Sequence, residues 1–219
     1  MKRAEEAHLL QWVPKTELAK KVRNGEITTL DQLFAINLPI MEPEIIDTLS
    51  EFEEKVVDVT KTARVVRAGR KFSFRVSVLI GNKQGYIGLG IAKDKEKWPA
   101  VRKAIRDAKM HLVKITRSCG SWECVCNTQH TVPFKVIGKN ASVRLTLMPA
   151  PKGVGLVVGD HIKDVFRFAG ITDVWSKTYG HTRTKLNFVQ AAIAALQETN
   201  KAKLSDDIEK KLSVRNLNE

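Results

Sequence analysis

From Lys71 to Ile80, apolar Phe72, Phe74, Val76, Val78 and Ile80 alternate with Lys71, Ser73, Arg75 and Ser77. That period of two predicts a half-buried β-strand. Upstream, Val57, Val59, Ala63 and Val65 share one parity and Asp58, Thr60, Thr62 and Arg64 the other, which predicts a strand before it. Downstream, Ile87, Leu89 and Ile91 place a third strand over Tyr86–Ala92. The connections, Arg67–Arg70 and Gly81–Gly85, are short, so the three strands are expected to be antiparallel neighbours. The spacing then changes to steps of three and four. Trp98, Val101, Ile105, Ala108, Leu112 and Ile115 make one apolar stripe, with Lys97, Arg102, Lys103, Arg106, Lys109 and Lys114 on the other faces. A long helix is expected there. One sheet face should pack on helices and the other should stay polar and basic.

The flanks carry weaker patterns. Thr16–Arg23 stops at Asn24-Gly25, Thr28 or Thr29 can cap a turn with Leu30, Leu33 and Phe34, and Pro43 suits the first position of a helix. Trp12, Leu33, Phe34 and Ile36 are candidates to dock this extension on the body or on a partner. In the second half, Val132–Ile137 and Ser142–Met148 predict a hairpin turning at Gly138–Asn140. A short strand, "LVVG", precedes a helix with Ile162, Val165, Phe166 and Ala169, stopped by Gly170. Ile171–Ser176 returns as a strand, and Thr182 or Thr184 caps a last helix containing Leu186, Val189, Ile193 and Leu196. The division that follows is an N-terminal extension over 1–54, whose last helix (43–54) packs on the next domain. An α-β-β-β-α domain covers 55–117, an α/β domain 118–199, and a charged tail 200–219.

Charge sharpens this picture. The 219-residue chain has a formal net charge of +13. Between Lys61 and Arg117 there are sixteen Lys or Arg against three Asp or Glu, while the two flanks cancel each other. An excess confined to one quarter of the chain is the footprint of a polyanion, and nucleic acid fits better than a membrane surface. No apolar run approaches membrane-spanning length and no signal-peptide pattern opens the chain, so a cytoplasmic protein is expected. Three cysteines are too few and odd in number for a disulfide framework.

The glycines at 81, 85, 88 and 90 raise the question of a phosphate cradle. A dinucleotide site needs G-x-G-x-x-G between strand and helix, and "GYIGLG" has the wrong spacing inside a strand. Gly153, Gly155 and Gly159 come nearer but enclose a strand, and no nucleotide cofactor is expected. The glycine turn is instead expected to let the backbone N–H groups of residues 81, 85 and 88 approach RNA phosphates, helped by Asn82, Lys83 and Gln84. Cys119, Cys124, Cys126 and His130 supply four possible ligands, thiolate and imidazole, of types suited to zinc within twelve residues, but no C-x-x-C knuckle is present. They are read as small hydrophobes of a hairpin beside Trp122, without metal. The five histidines accompany no nucleophile signature, so no enzyme is expected.

"VVRAGRKFSFRVSVLIGNKQGYIGLGIAK" with "AVRKAIRDAKMHL", and "TVPFKVIGKNASVRLTLMPAPKGVGLVVGDHIKDVFRFAGITDVWSKTYGHTRTKLNFVQAAIAAL", resemble the small-subunit ribosomal protein family numbered five. "SCGSWECVC" and the long N-terminal extension look like its archaeal and eukaryotic branch. The resemblance implies an α+β fold: a double-stranded-RNA-binding-like domain, then a βαβ-type C-terminal domain. It implies a structural role in the small subunit, on its rRNA and beside the channel that admits mRNA. Ribosomal proteins three and four would be neighbours, and decoding accuracy would be influenced. Charge and resemblance together nominate Arg64, Arg67, Gly69, Arg70, Lys71, Asn82, Lys83, Gln84, Gly85, Lys93, Lys95, Arg102, Lys103, Arg106, Lys152, Lys177, Arg183 and Lys185 for rRNA contact, and Lys163 and Arg167 for a protein partner. The alternative is a free-standing double-stranded-RNA-binding protein.

Overall fold

The structure, a computed structural model, describes residues 12–124, 126 and 128–201. Three short helices open it: α1 (Glu17–Arg23), α2 (Leu30–Ala35) and α3 (Glu44–Leu49). The Thr16 side chain caps α1, and Thr29 with Gln32 forms a capping box on α2. Pro43 sits one position before α3. Glu42 fastens the segment from Trp12 to Thr16. Its carboxylate accepts from the Trp12 indole at 2.8 Å and from the Lys15 and Thr16 amides at 3.1 and 2.8 Å.

An antiparallel sheet follows in the order β1 (Glu53–Val66), β2 (Gly69–Gly81), β3 (Tyr86–Asp94), β4 (Leu112–Lys114), with α4 (Lys97–Met110) between the last two. Two expectations are corrected here. The helix ends at Met110, because Leu112–Lys114 pairs with Tyr86–Gly88 as an edge strand. Trp98, counted in the apolar stripe, is 69% exposed; Ala100, Val101, Ala104 and Ala108 form the buried face instead.

Neither sheet face is left open over the lower half of β2. Val76, Val78 and Ile80 pack with α4 and with Leu18, Leu30, Leu33, Ile45 and Ile46 of the extension. Leu79, Ile87 and Leu89 point the other way, into the core of the second half. The expected open basic face is therefore corrected: the C-terminal half covers it. Gly88 and Gly90 face α4, where an added Cβ would stand 2.3 Å from the Ala108 carbonyl oxygen and 2.0 Å from that of Ala104. These two glycines let a helix backbone close on the sheet.

The second sheet has the order β5 (Val136–Asn140), β6 (Val143–Pro149), β8 (Val174–Tyr179), β7 (Leu156–Val157). The β5–β6 turn lies at Ala141-Ser142, later than expected, and Ala141 takes a positive φ of 50°. β7 and β8 are parallel and joined through α5 (Asp160–Ala169), the βαβ unit. Gly170 ends α5 with φ 76°. α6 (Lys185–Glu198) packs on β5 and β6 through Phe188, Val189, Ala191, Ala192 and Leu196. Among the described residues no helix is long and apolar enough to cross a membrane.

Candidate nucleic-acid interface

β3 stops at Asp94, opposite Phe74, whereas β1 and β2 stay paired to Val66 and Gly69. Residues 61–73 thus form a two-stranded arm that leaves the body. Its strands are joined by Arg67-Ala68, and Gly69 supplies the φ of 119° that closes the turn. Val65 is 75% exposed and Phe72 50%. Arg64 pairs across from Lys71, and Val65 from Arg70. Lys61, Arg64, Arg67, Arg70 and Lys71 are all exposed. None of the five lies within ion-pair distance of a carboxylate among the described residues. Lys61 Nζ lies 4.1 Å from the centroid of the Phe72 ring. A projecting ribbon of unneutralised cations meets a polyanion without first breaking internal pairs.

The second turn is built differently. The Asn82 side-chain oxygen Oδ1 accepts from the Gln84 and Tyr86 amides at 2.9 and 3.2 Å, and Lys83 takes a φ of 60°. The Lys83 amide donates to the Phe168 carbonyl at 3.0 Å. Arg117 Nη1 donates to the carbonyls of Lys83 and Gly170 at 3.3 and 3.2 Å. The Lys83 ammonium is paired with Glu53. Gly81 abuts Phe168, and the Gly85 carbonyl accepts from Ile115 at 2.7 Å. The phosphate cradle expected at Gly81, Gly85 and Gly88 is therefore corrected. All three glycines are buried, and the turn is bound to the end of α5. Only Lys83 and Gln84 remain exposed there.

A third basic location lies where the two halves meet. Asp58, Arg75, Arg183, Thr184, Lys185, Leu186 and Asn187 line an open cavity of about 420 Å³ at the start of α6. Lys185 reaches Asp58 at 3.6 Å. The helix start adds partial positive charge to Arg75, Arg183 and Lys185. Arg75 was missed from the sequence, where it stood only as a polar residue of a strand. Its cross-strand partner Lys93 is exposed beside it. Arg102, Lys103 and Arg106 are exposed on α4, in the layer behind the sheet, so they belong to a different surface. Lys95, Lys152 and Lys177 are exposed and lie outside the cavity. Lys163 pairs with Asp160 at 2.7 Å, and Arg167 lies 3.7 Å from Asp164, which also holds Lys55 at 2.8 Å.

The glycine-rich loop of the C-terminal half is already occupied by an anion from the chain itself. Asp173 accepts from the Gly153 and Gly155 amides at 3.0 and 2.8 Å and from the Thr172 hydroxyl at 2.7 Å. Burial opposes its ionisation, yet the Gly155 amide, the Thr172 hydroxyl, the Gly153 amide and His130 outweigh it and hold the carboxyl below its ordinary range. Those amides are not free to bind a nucleotide phosphate.

The cysteine segment also differs from expectation. It is a loop rather than a strand, Trp122 is 89% exposed, and Cys124 and Cys126 are half-buried. The ligand atoms of Cys119, Cys124, Cys126 and His130 lie within 4.8 Å of one another. The Thr128 hydroxyl, 3.0 Å from Cys126 Sγ, pulls that thiol down to about 6, whereas burial pushes Cys119 up to about 11.

Residues 52–116 match the family description "Ribosomal protein S5, N-terminal domain", and residues 138–211 match "Ribosomal protein S5, C-terminal domain". The protein named small ribosomal subunit protein uS5 of Methanothermobacter thermautotrophicus is 51% identical over 205 residues, 93% of this chain and 95% of that one. The same-named protein of Methanocaldococcus jannaschii is 47% identical over 205 residues, covering 93% and 94%. That of Thermoplasma acidophilum is 45% identical over 199 residues, covering 90% of each. Both domains and nearly the full length agree, and the chain belongs to the ribosomal protein S5 family.

Proposed function

We propose that the chain is a structural constituent of the small ribosomal subunit, not an enzyme, and that it grips small-subunit rRNA at two separated places. The first is the arm at residues 61–73. The second is the cavity formed by Arg75, Arg183 and Lys185 at the start of α6. The observation that carries this reading is the arm, whose five exposed cations have no carboxylate partner among the described residues. Phosphate contacts of this kind give affinity without sequence readout and release counterions on binding. The two grips sit on one body, because the cores of the two halves are continuous through Leu79 and Ile87. A rigid body held at both places restrains how the two RNA segments move against each other.

The finer parts of the reading rest on the family resemblance. Lys163 and Arg167 on α5 would face a neighbouring protein, ribosomal proteins three and four being the candidates, beside the path of mRNA. Substitutions there, or in the Lys152–Gly155 loop, should change stop-codon readthrough more than small-subunit abundance. The primary reading is tested by fractionating cell extract on a sucrose gradient and mapping ultraviolet crosslinks to RNA. The chain should sediment with small subunits and crosslink to their rRNA through peptides from 61–74 and 183–187. Sedimentation away from subunits, with crosslinks to heterogeneous RNA, would favour a free-standing RNA-binding protein instead.

A further inference from the structure

We propose that Cys119, Cys124, Cys126 and His130 hold one zinc ion in a closed, tetrahedral site that clips the link between the two domains. This reverses the expectation of a metal-free hairpin and does not depend on the RNA-binding reading. Sequence spacing argued against zinc because a C-x₄-C-x-C-x₃-H pattern lacks the usual two-residue knuckle. The fold supplies what the spacing lacks. Ser118 and Thr131 exchange backbone hydrogen bonds at 3.0 and 2.9 Å, closing the loop at its base and setting Cys119 beside His130. A turn at Ser121–Cys124, with the Cys124 amide 3.3 Å from the Ser121 carbonyl, folds the far side of the loop back over them.

The spacings suit the ion. Zinc–sulfur and zinc–nitrogen bonds of ordinary length make the edges of a tetrahedron about 3.8 Å for sulfur–sulfur and about 3.6 Å for sulfur–nitrogen. Cys119 Sγ and Cys126 Sγ are 3.4 Å apart, and Cys124 Sγ is 3.8 Å from His130 Nε2. The first distance is far too long for a disulfide, and all three cysteines are free. Three thiolates and one imidazole favour zinc over calcium or magnesium, and four protein ligands leave no position for chemistry.

The strongest support comes from the residue behind the histidine. His130 Nδ1 donates to Asp173 Oδ2 at 2.9 Å, and both side chains are buried. That bond places the ring proton on Nδ1 and leaves the Nε2 lone pair aimed at the thiols, the arrangement metal-binding histidines use. The backbone holds it too: the His130 carbonyl accepts from the Thr172 and Asp173 amides at 3.0 and 3.1 Å. Because Asp173 also gathers the Gly153 and Gly155 amides, the ion would tie the interdomain link to the 153–155 loop through one carboxylate.

The test uses full-length protein purified without chelator. Elemental analysis should find one zinc per chain. Cobalt(II) exchanged into the site should show intense tetrahedral ligand-field bands with thiolate-to-cobalt charge transfer. Cys124→Ser and Cys126→Ser should lose the zinc. Asp173→Asn should keep the cobalt spectrum but weaken zinc binding by about 10- to 100-fold. If the serine variants fail to fold, titrating the unaltered chain with a mercurial should release its single zinc as three thiols are blocked. Folded chain with no zinc, three freely titrating thiols and no charge-transfer band would overturn the proposal. A Cys119–Cys126 disulfide in place of the metal would overturn it equally.

Discussion

The two hairpin turns of the first sheet have nearly the same chemistry and opposite circumstances. Each joins antiparallel strands, and each carries glycine and basic side chains. The turn at Arg67-Ala68 stands at the tip of an arm, and a Cβ added at Gly69 would meet nothing within 4 Å. The turn at Gly81–Gly85 is held by the Phe168 carbonyl, by Arg117 and by Gly170, where a Cβ would stand 2.1 Å from the Lys83 carbonyl oxygen. Glycine and lysine in a turn therefore do not identify a phosphate contact. What separates the two turns is whether the backbone groups already have partners and whether the charges already have counterions.

The largest separation is expected in stability. Gly170→Ala combines a left-handed φ of 76° with the collision against Lys83, and should cost about 3 kcal/mol in urea unfolding. Arg117→Ala removes two hydrogen bonds that bind the second turn to Gly170, and should cost about 1–2 kcal/mol. Gly69→Ala, strained at a φ of 119° but free of collision, should cost about 1 kcal/mol, with the change in amide exchange confined to the arm. A Gly69 effect as large as that of Gly170 would mean that the arm also packs on something.

The smallest effect is local and depends on pH. Burial opposes ionisation of Glu42, but the Thr16 amide and hydroxyl, the Trp12 indole and the Lys15 amide prevail and lower its carboxyl below the ordinary value. A folded value lower than the unfolded one gives stability that is present above about pH 4.3 and is lost as pH falls through the folded value. Trp12 fluorescence should therefore report release of the extension on acidification. Glu42→Gln should weaken that pH dependence.

Where one local pattern decided the outcome, the sequence was legible. Thr29 with Gln32 capped α2, Gly170 stopped α5, and the alternation in β2 marked a strand. The order of strands and helices followed from such signals, whereas the α+β class and the βαβ-type unit were implied by the resemblance. Failures came where a distant surface decided. The continuous burial from Val76 to Gly81 exists because α4 and the extension cover one face while the C-terminal half covers the other. No period-two pattern contains that second cover. Gly88 and Gly90 served helix packing, and Leu112 joined a strand because β3 offered it an edge. Of the candidate site, the basic residues of the arm were nominated by charge together with the resemblance. Arg75 was not, since only the approach of α6 makes it part of a cavity. The cysteine loop required Asp173, forty-three residues beyond His130, to orient the ring.

The most direct measurement is the salt dependence of binding between the full-length chain and small-subunit rRNA. Each phosphate contact contributes somewhat under one unit to the slope of log K against log salt. The Arg67→Ala, Arg70→Ala, Lys71→Ala triple variant should stay folded, bind more weakly and lose about two units of slope. Lys83→Ala, whose ammonium is paired with Glu53, should lose clearly less than one unit. An unchanged slope in the triple variant, or a greater loss from Lys83→Ala alone, would contradict the assignment of the arm as the principal RNA grip.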